Sequence, residues 1–185
     1  TGGTGSISQP SAAYAPVGNP DAVRELTALA SNTSLTVSWL RPLDLGGATF
    51  TRYELFIKLS TDENFPGTPT HTIANISNGN YTFTGLVNGA SYDVKMVTIT
   101  SVDPSEAVSN SALVSQIPFT TPGSVRDLRA IQSGDDILVS WRYPAFDGGR
   151  AIDDYDVDIN SGEFACSSIT NTHCVIVGGA SQNLF

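Results

Sequence analysis

One stretch of this chain is spelled twice. Pro20 to Ala28 reads PDAVRELTA, and Pro122 to Ala130 reads PGSVRDLRA. TVSW, ending at Trp39, returns as LVSW, ending at Trp141. Pro42, Gly46, Gly47, Tyr53 and Ile57 return as Pro144, Gly148, Gly149, Tyr155 and Ile159, each pair 102 positions apart. That period is the length of a domain, far beyond the roughly 20–50 residues of a solenoid unit. The 185 residues are therefore expected to fold as two like modules in series, each burying its own core.

Within a module the apolar spacing is two. Leu35, Val37 and Trp39 alternate with Thr36 and Ser38; Tyr53, Leu55, Ile57 and Leu59 alternate with Arg52, Glu54, Phe56 and Lys58; Tyr92, Val94 and Met96 continue the pattern. Each run is bounded by Gly, Pro, Asn or Asp, and no stretch keeps helical spacing for three turns. The first module is predicted to hold seven strands, at 23–28, 35–40, 51–59, 71–73, 81–84, 91–100 and 112–117. Short alternating strands joined by turns pack as an antiparallel sandwich. Trp39, Trp141, Tyr53, Tyr155 and Tyr92 are the expected core anchors.

These residues together resemble the fibronectin type III family. The matching elements are the opening Pro with its aliphatic strand (Pro20 to Leu26, Pro122 to Leu128) and the second-strand Trp with a Pro three residues on. The Gly-Gly turn before a Tyr-bearing third strand also matches, as does Leu86, Gly89 and Tyr92 in the Leu-x-x-Gly-x-x-Tyr signature. The resemblance implies an all-β fold of tandem seven-stranded immunoglobulin-like sandwiches, with Tyr92 making a corner hydrogen bond.

Under this reading residues 1–19 are the last strand of a preceding module or a flexible tail. Residues 20–119 are the first domain, and 120–185 a second lacking its last strands. It has no counterpart of Leu86 or of the corner Tyr. Three accounts of that shortfall are open: a chain cut short, strands supplied by another chain, with residues 8–17 as the donated segment, or a misaligned C-terminus. The short link Thr120-Thr121-Pro122 is expected to restrict the angle between modules.

Cys166 and Cys174 flank the turn SSITNTH. They read as a hairpin disulfide, which belongs in an oxidising, extracellular setting, or as two reduced thiols packed in the core; the bridge is the reading adopted. With His173 they supply too few ligands for a structural metal. Asn32, Asn75 and Asn80 head N-x-[ST] sequons in turns or at strand ends, where a glycan fits. Asp154, Asp156 and Asp158 line one face of a strand near Asp147 and Asp153. They read as a solvated acidic face that keeps edges apart more readily than as a calcium cage.

Several functions find no support. Eighteen acids against nine bases give a net charge of −9, with Lys58 and Lys95 the only lysines, which argues against nucleic acid or an anionic membrane as partner. No run approaches the ~18 apolar residues of a membrane span. His71 and His173 are isolated from any nucleophile motif, and no Gly-rich loop opens a helix to cradle phosphate. No catalytic residue, cofactor, metal or small-molecule substrate is expected. The loop 101–108 has no Arg-Gly-Asp, and Phe65 and Phe146 are isolated loop aromatics. The expected role is a non-catalytic structural or interaction module of an extracellular or cell-surface multi-repeat protein: spacer, adhesin stalk or fibre building block, partnered by proteins or by copies of itself. The alternative is a ligand- or glycan-recognition appendage of a larger secreted enzyme or receptor.

Overall fold

A computed structural model describes residues 16–102, 105–159 and 163–178. The expectations placed on residues 1–15, on Asp103-Pro104 and on residues 179–185 lie outside the described residues. Among the described residues every regular element is a strand, and no helix is long and apolar enough to cross a membrane.

In the first module β1 (Arg24–Ser31), β2 (Ser34–Leu40) and β5 (Gly79–Thr84) form one sheet, in the order β1-β2-β5. Facing it are β4 (His71–Ile73), β3 (Thr49–Leu59) and β6 (Tyr92–Val102), with β7 (Ser105–Val108) and β8 (Ala112–Gln116) both beyond β6. Alternation sends Val37, Trp39, Tyr53, Leu55, Val94 and Met96 into the space between the sheets, where all are buried. The Trp39 and Tyr53 rings meet edge-on, 5.8 Å between centroids. Tyr53 Oη donates to the Ile76 carbonyl at 2.8 Å, which discharges the one polar atom that ring carries inside. Tyr92 Oη accepts from the Val87 amide at 3.1 Å, closing the corner before β6.

The second module repeats this frame. β9 (Arg126–Ser133), β10 (Asp136–Arg142) and β13 (His173–Ile176) form one sheet, and β11 (Tyr155–Ile159) pairs with β12 (Glu163–Ile169) in the other. Ala28 opposes Val37 and Ala130 opposes Val139, the same register in both. Glu25 and Asp127 both hold a φ of 51°, and the register slips beside each of them. Each sits in a β-bulge, where two residues of the first strand oppose one of its neighbour. Among the described residues β11 pairs only with β12, whereas its counterpart β3 also pairs with β6 along most of its length.

Several expectations need correction. The strand expected at 112–117 is present as β8, but an unexpected strand precedes it: residues 105–108 pair with β6 as β7, and the chain rejoins β6 as β8 after a break at Ser109. Ser109 turns inward there, its Oγ accepting from the Thr98 amide at 2.9 Å. So polar a segment carries no apolar alternation; it is held by Glu106, whose carboxylate is gripped by both terminal nitrogens of Arg52 on β3. Phe56 does not face water. Phe65, from the β3–β4 loop, folds back over the outer face of the sheet to cover Phe56, Val97 and Ile99. Lys95 Nζ lies 4.1 Å from the Phe56 ring centre and 4.9 Å from that of Phe65, a cation–π cap on the patch. Phe65 is therefore no isolated aromatic. Leu59, expected inside, is exposed at the strand's end.

One cluster on this sheet makes stability depend on pH. Asp93 accepts from Ser60 Oγ and Ser115 Oγ, both at 2.7 Å, and pairs with Lys58 Nζ at 3.0 Å. These three partners hold the Asp93 carboxyl down at about 2. A lowered carboxyl stabilises the fold above its unfolded value, near 4, and that stability is lost as pH falls towards 2. Asp93→Asn is expected to weaken the first module by roughly 1 kcal/mol at neutral pH, a deficit that shrinks as pH falls towards 2 and disappears below it. Urea titrations followed by Trp39 fluorescence measure this; a deficit that stays constant across the range would remove Asp93 as the cause.

Candidate functional site

The feature that most distinguishes this pair of modules is the joint between them. Pro118 is fully buried, and its carbonyl accepts from the Gly89 amide at 2.9 Å, fastening the link to the first module. Two residues on, the Thr120 amide donates to the Gly148 carbonyl at 2.9 Å, and the Gly123 amide donates to Phe146 O at 3.0 Å. Arg126 Nε reaches the Tyr143 carbonyl at 2.8 Å. Each backbone group of so short a link would otherwise need water, so these bonds leave it little freedom.

Glycines make the approach possible. Gly149 holds a φ of 86°, and a Cβ on it would overlap the Gly89 amide and lie 2.7 Å from the Asn88 carbonyl carbon. Gly89, also at a φ of 86°, would place its own Cβ 3.1 Å from the Gly149 Cα. Backbone thus lies directly on backbone, an approach closed to any side chain. Asn88 holds its turn in place: its Oδ1 accepts from the Thr33 amide and its Nδ2 donates to Asn32 Oδ1, both at 2.8 Å. Beside the contact the Arg150 guanidinium lies 5.7 Å from the Phe119 ring centre, over a cleft also lined by Ile117 and Ala151.

The other residues singled out above are placed as follows. Trp39 and Trp141 are both buried, and Trp141 meets Tyr155 edge-on at 5.4 Å. Burial raises the Tyr155 hydroxyl above its ordinary value. Cys166 and Cys174 are bonded, with Cα atoms 6.5 Å apart. The bridge is not a hairpin link, however, because β12 and β13 belong to different sheets. Val157 opposes Cys166 and Val139 opposes Cys174; in the first module the equivalent partners Leu55 and Val37 oppose His71 and Tyr81. Those two rings stack with centroids 3.9 Å apart. The disulfide therefore stands where a stacked ring pair joins the sheets of the first module, and His71 is a packing residue.

Asn32, Asn75 and Asn80 are all exposed, and Asn32 Oδ1 also accepts from Asn88 Nδ2. Asp156 Oδ1 accepts from the Ser168 amide at 3.0 Å and Asp147 Oδ1 from the Gly149 amide at 2.9 Å, so two of the acids hold backbone. Among the described residues no group of three or more His, Cys, Asp or Glu side chains could hold a metal ion. Phe146 lines an open depression with Tyr143, Pro144 and Ile152. Sequence reasoning treated the Gly-Gly pairs as turn residues and missed the second task of Gly149; the one signal was the recurrence of the pair at the same place in both modules.

Residues 21–111 match the family model of the fibronectin type III domain. Among solved structures, a crystal structure of consecutive domains from titin is similar at 20% identity and a TM-score of 0.44, over 54% of this chain and 32% of that one. Titin kinase with its flanking domains is similar at 15% identity and a TM-score of 0.44, over 70% of this chain and 28% of that one. The chain thus spans about a third or less of the length of these structures.

Proposed function

Residues 21–111 being a fibronectin type III domain, a structural and interaction module without catalysis of its own, we propose that the chain is a stiff spacer within an extracellular multi-repeat protein. The observation that carries this reading is the Gly89–Gly149 contact, made within a link pinned by hydrogen bonds on both sides. Modules joined by a loose linker reorient freely, and a joint without slack passes direction and load from one to the next. The Cys166–Cys174 bridge supports the extracellular placement, because such bonds persist in oxidising compartments. Proteins or further copies of the module are the partners such a spacer meets.

Gly149→Val tests the reading, since its side chain has no space against Asn88 and Gly89. With a paramagnetic tag on the first module, both modules of the parent chain are expected to share one alignment. In the variant the alignment of the second is expected to fall by about half or more, with both cores still folded. Independent alignment in the parent itself would defeat the proposal.

A further inference from the structure

The outer face of the β9-β10-β13 sheet is apolar where the matching face of the first module is polar. Ile137, Val139 and Trp141 belong to the buried cluster, so alternation sends Asp136, Leu138, Ser140 and Arg142 outward. Leu138 lies directly opposite Ile131 on β9 and Val175 on β13, and the three make one row across the sheet. Leu138 is 36% exposed, Ile131 55% and Val175 51%. The same row in the first module is Leu29, Thr36 and Thr82, whose two hydroxyls hydrogen-bond each other at 2.9 Å. Threonines suit a sheet face turned to water, whereas three aliphatic side chains in register suit a face that is covered.

Charge divides this face in two. Arg129, Ser140 and His173 form the row on one side of the aliphatic one, and beyond it stands Arg142, paired with Asp127 at 3.2 Å. On the other side are Ser133 and Asp136, with Asp135 in the turn between β9 and β10. One end of the face is therefore basic and the other acidic, in a chain whose net charge of −9 otherwise repels a second copy.

We propose that this face pairs with the same face of a second copy of the chain, about a two-fold axis that runs along the row of Ile131, Leu138 and Val175. That axis lays each aliphatic side chain on its own counterpart. It also puts the Arg129 end of one copy over the end bearing Asp135 and Asp136 in the other, and does so twice. A two-fold along the strands would instead set Arg129 over His173 and bring the two acidic ends together. A face three strands wide spans roughly 14 Å by 20 Å. That is well under the ~800 Å² per partner of a standard interface. The pair is accordingly weak by itself, with a Kd on the order of 100 μM. In a multi-repeat protein such contacts act together and strengthen one another, holding stiff spacers side by side. Only this last consequence rests on the spacer reading.

Sedimentation of the full chain from about 10 μM to about 1 mM reads the association. A reversible dimer is expected, weakening as salt is raised. Leu138→Thr and Val175→Thr should each raise its Kd about tenfold or more, with the Trp141 unfolding transition still cooperative. Arg129→Glu and Asp135→Arg should each weaken it as well. Mixing these two single variants should restore it, because across the two-fold the altered residues meet each other and the unaltered ones do the same. A single species of one chain's mass over the whole range overturns the proposal and leaves the spacer reading standing, since that reading is tested by alignment within one chain. A dimer indifferent to Leu138→Thr and Val175→Thr places the contact on another surface and overturns it too. Aliphatic variants that weaken the dimer, with a mixture that restores nothing, overturn the two-fold arrangement.

Discussion

Trp39→Ala is expected to destabilise the first module by about 3–5 kcal/mol, enough to lower its melting midpoint by roughly 12 °C or more. The indole is 3% exposed, sits edge-on to Tyr53 and packs so close to Gly79 that a Cβ there would lie 3.1 Å from the ring. Its Nε1 has no hydrogen-bond partner among the described residues, so truncation removes packing and leaves a cavity while no polar contact is lost. Trp39→Phe should consequently recover much of the deficit. Calorimetry or near-ultraviolet circular dichroism on the whole chain measures both variants, with the transition of the second module as internal reference. A midpoint unchanged by Trp39→Ala would mean that the ring does not hold the two sheets together.

Reducing the Cys166–Cys174 bridge should weaken the second module by about 2–3 kcal/mol, the loop-closure entropy of so short a ring. The effect falls where the module has least to spare. Ile137, Val139, Trp141, Cys174 and Ile176 form its buried cluster, and Cys174 contributes to that cluster as well as to the bond. The bridge also ties β12 to β13 across the two sheets, so its loss releases one sheet from the other. Each module holds one tryptophan, which separates the two transitions. In urea, reductant should move the Trp141 transition to lower concentration and leave that of Trp39 in place. Cys166→Ser with Cys174→Ser should reproduce the shift without reductant. A Trp141 transition that neither treatment moves would show the bridge to be without weight in this fold.

Much of the fold was legible because it is written locally. Side chains two apart in a strand face the same way, so Leu35, Val37 and Trp39 declare their face without knowledge of any partner. Gly and Pro mark turns for equally local reasons. What escaped were the contacts made by residues distant in the chain. Phe56 has the alternation of an outward residue, and only the return of Phe65 across the sheet buries it. Ser105–Val108 pairs with β6 because Arg52, on another strand, holds Glu106. The two cysteines look like neighbours across a turn, yet the chain changes sheets between them. At the joint, the short link and Pro122 announced stiffness, while the meeting of Gly149 with Gly89 depends on how two finished modules abut.

By itself, then, the order of residues determined the period, the faces of the strands and the turn positions, since each follows from backbone stereochemistry within a few neighbours. Which apolar side chains share a core, which sheets a disulfide unites and which glycines must stay bare were decided only in three dimensions. Those outcomes depend on which surfaces come within van der Waals contact, and that distance is set by the packing of the whole fold.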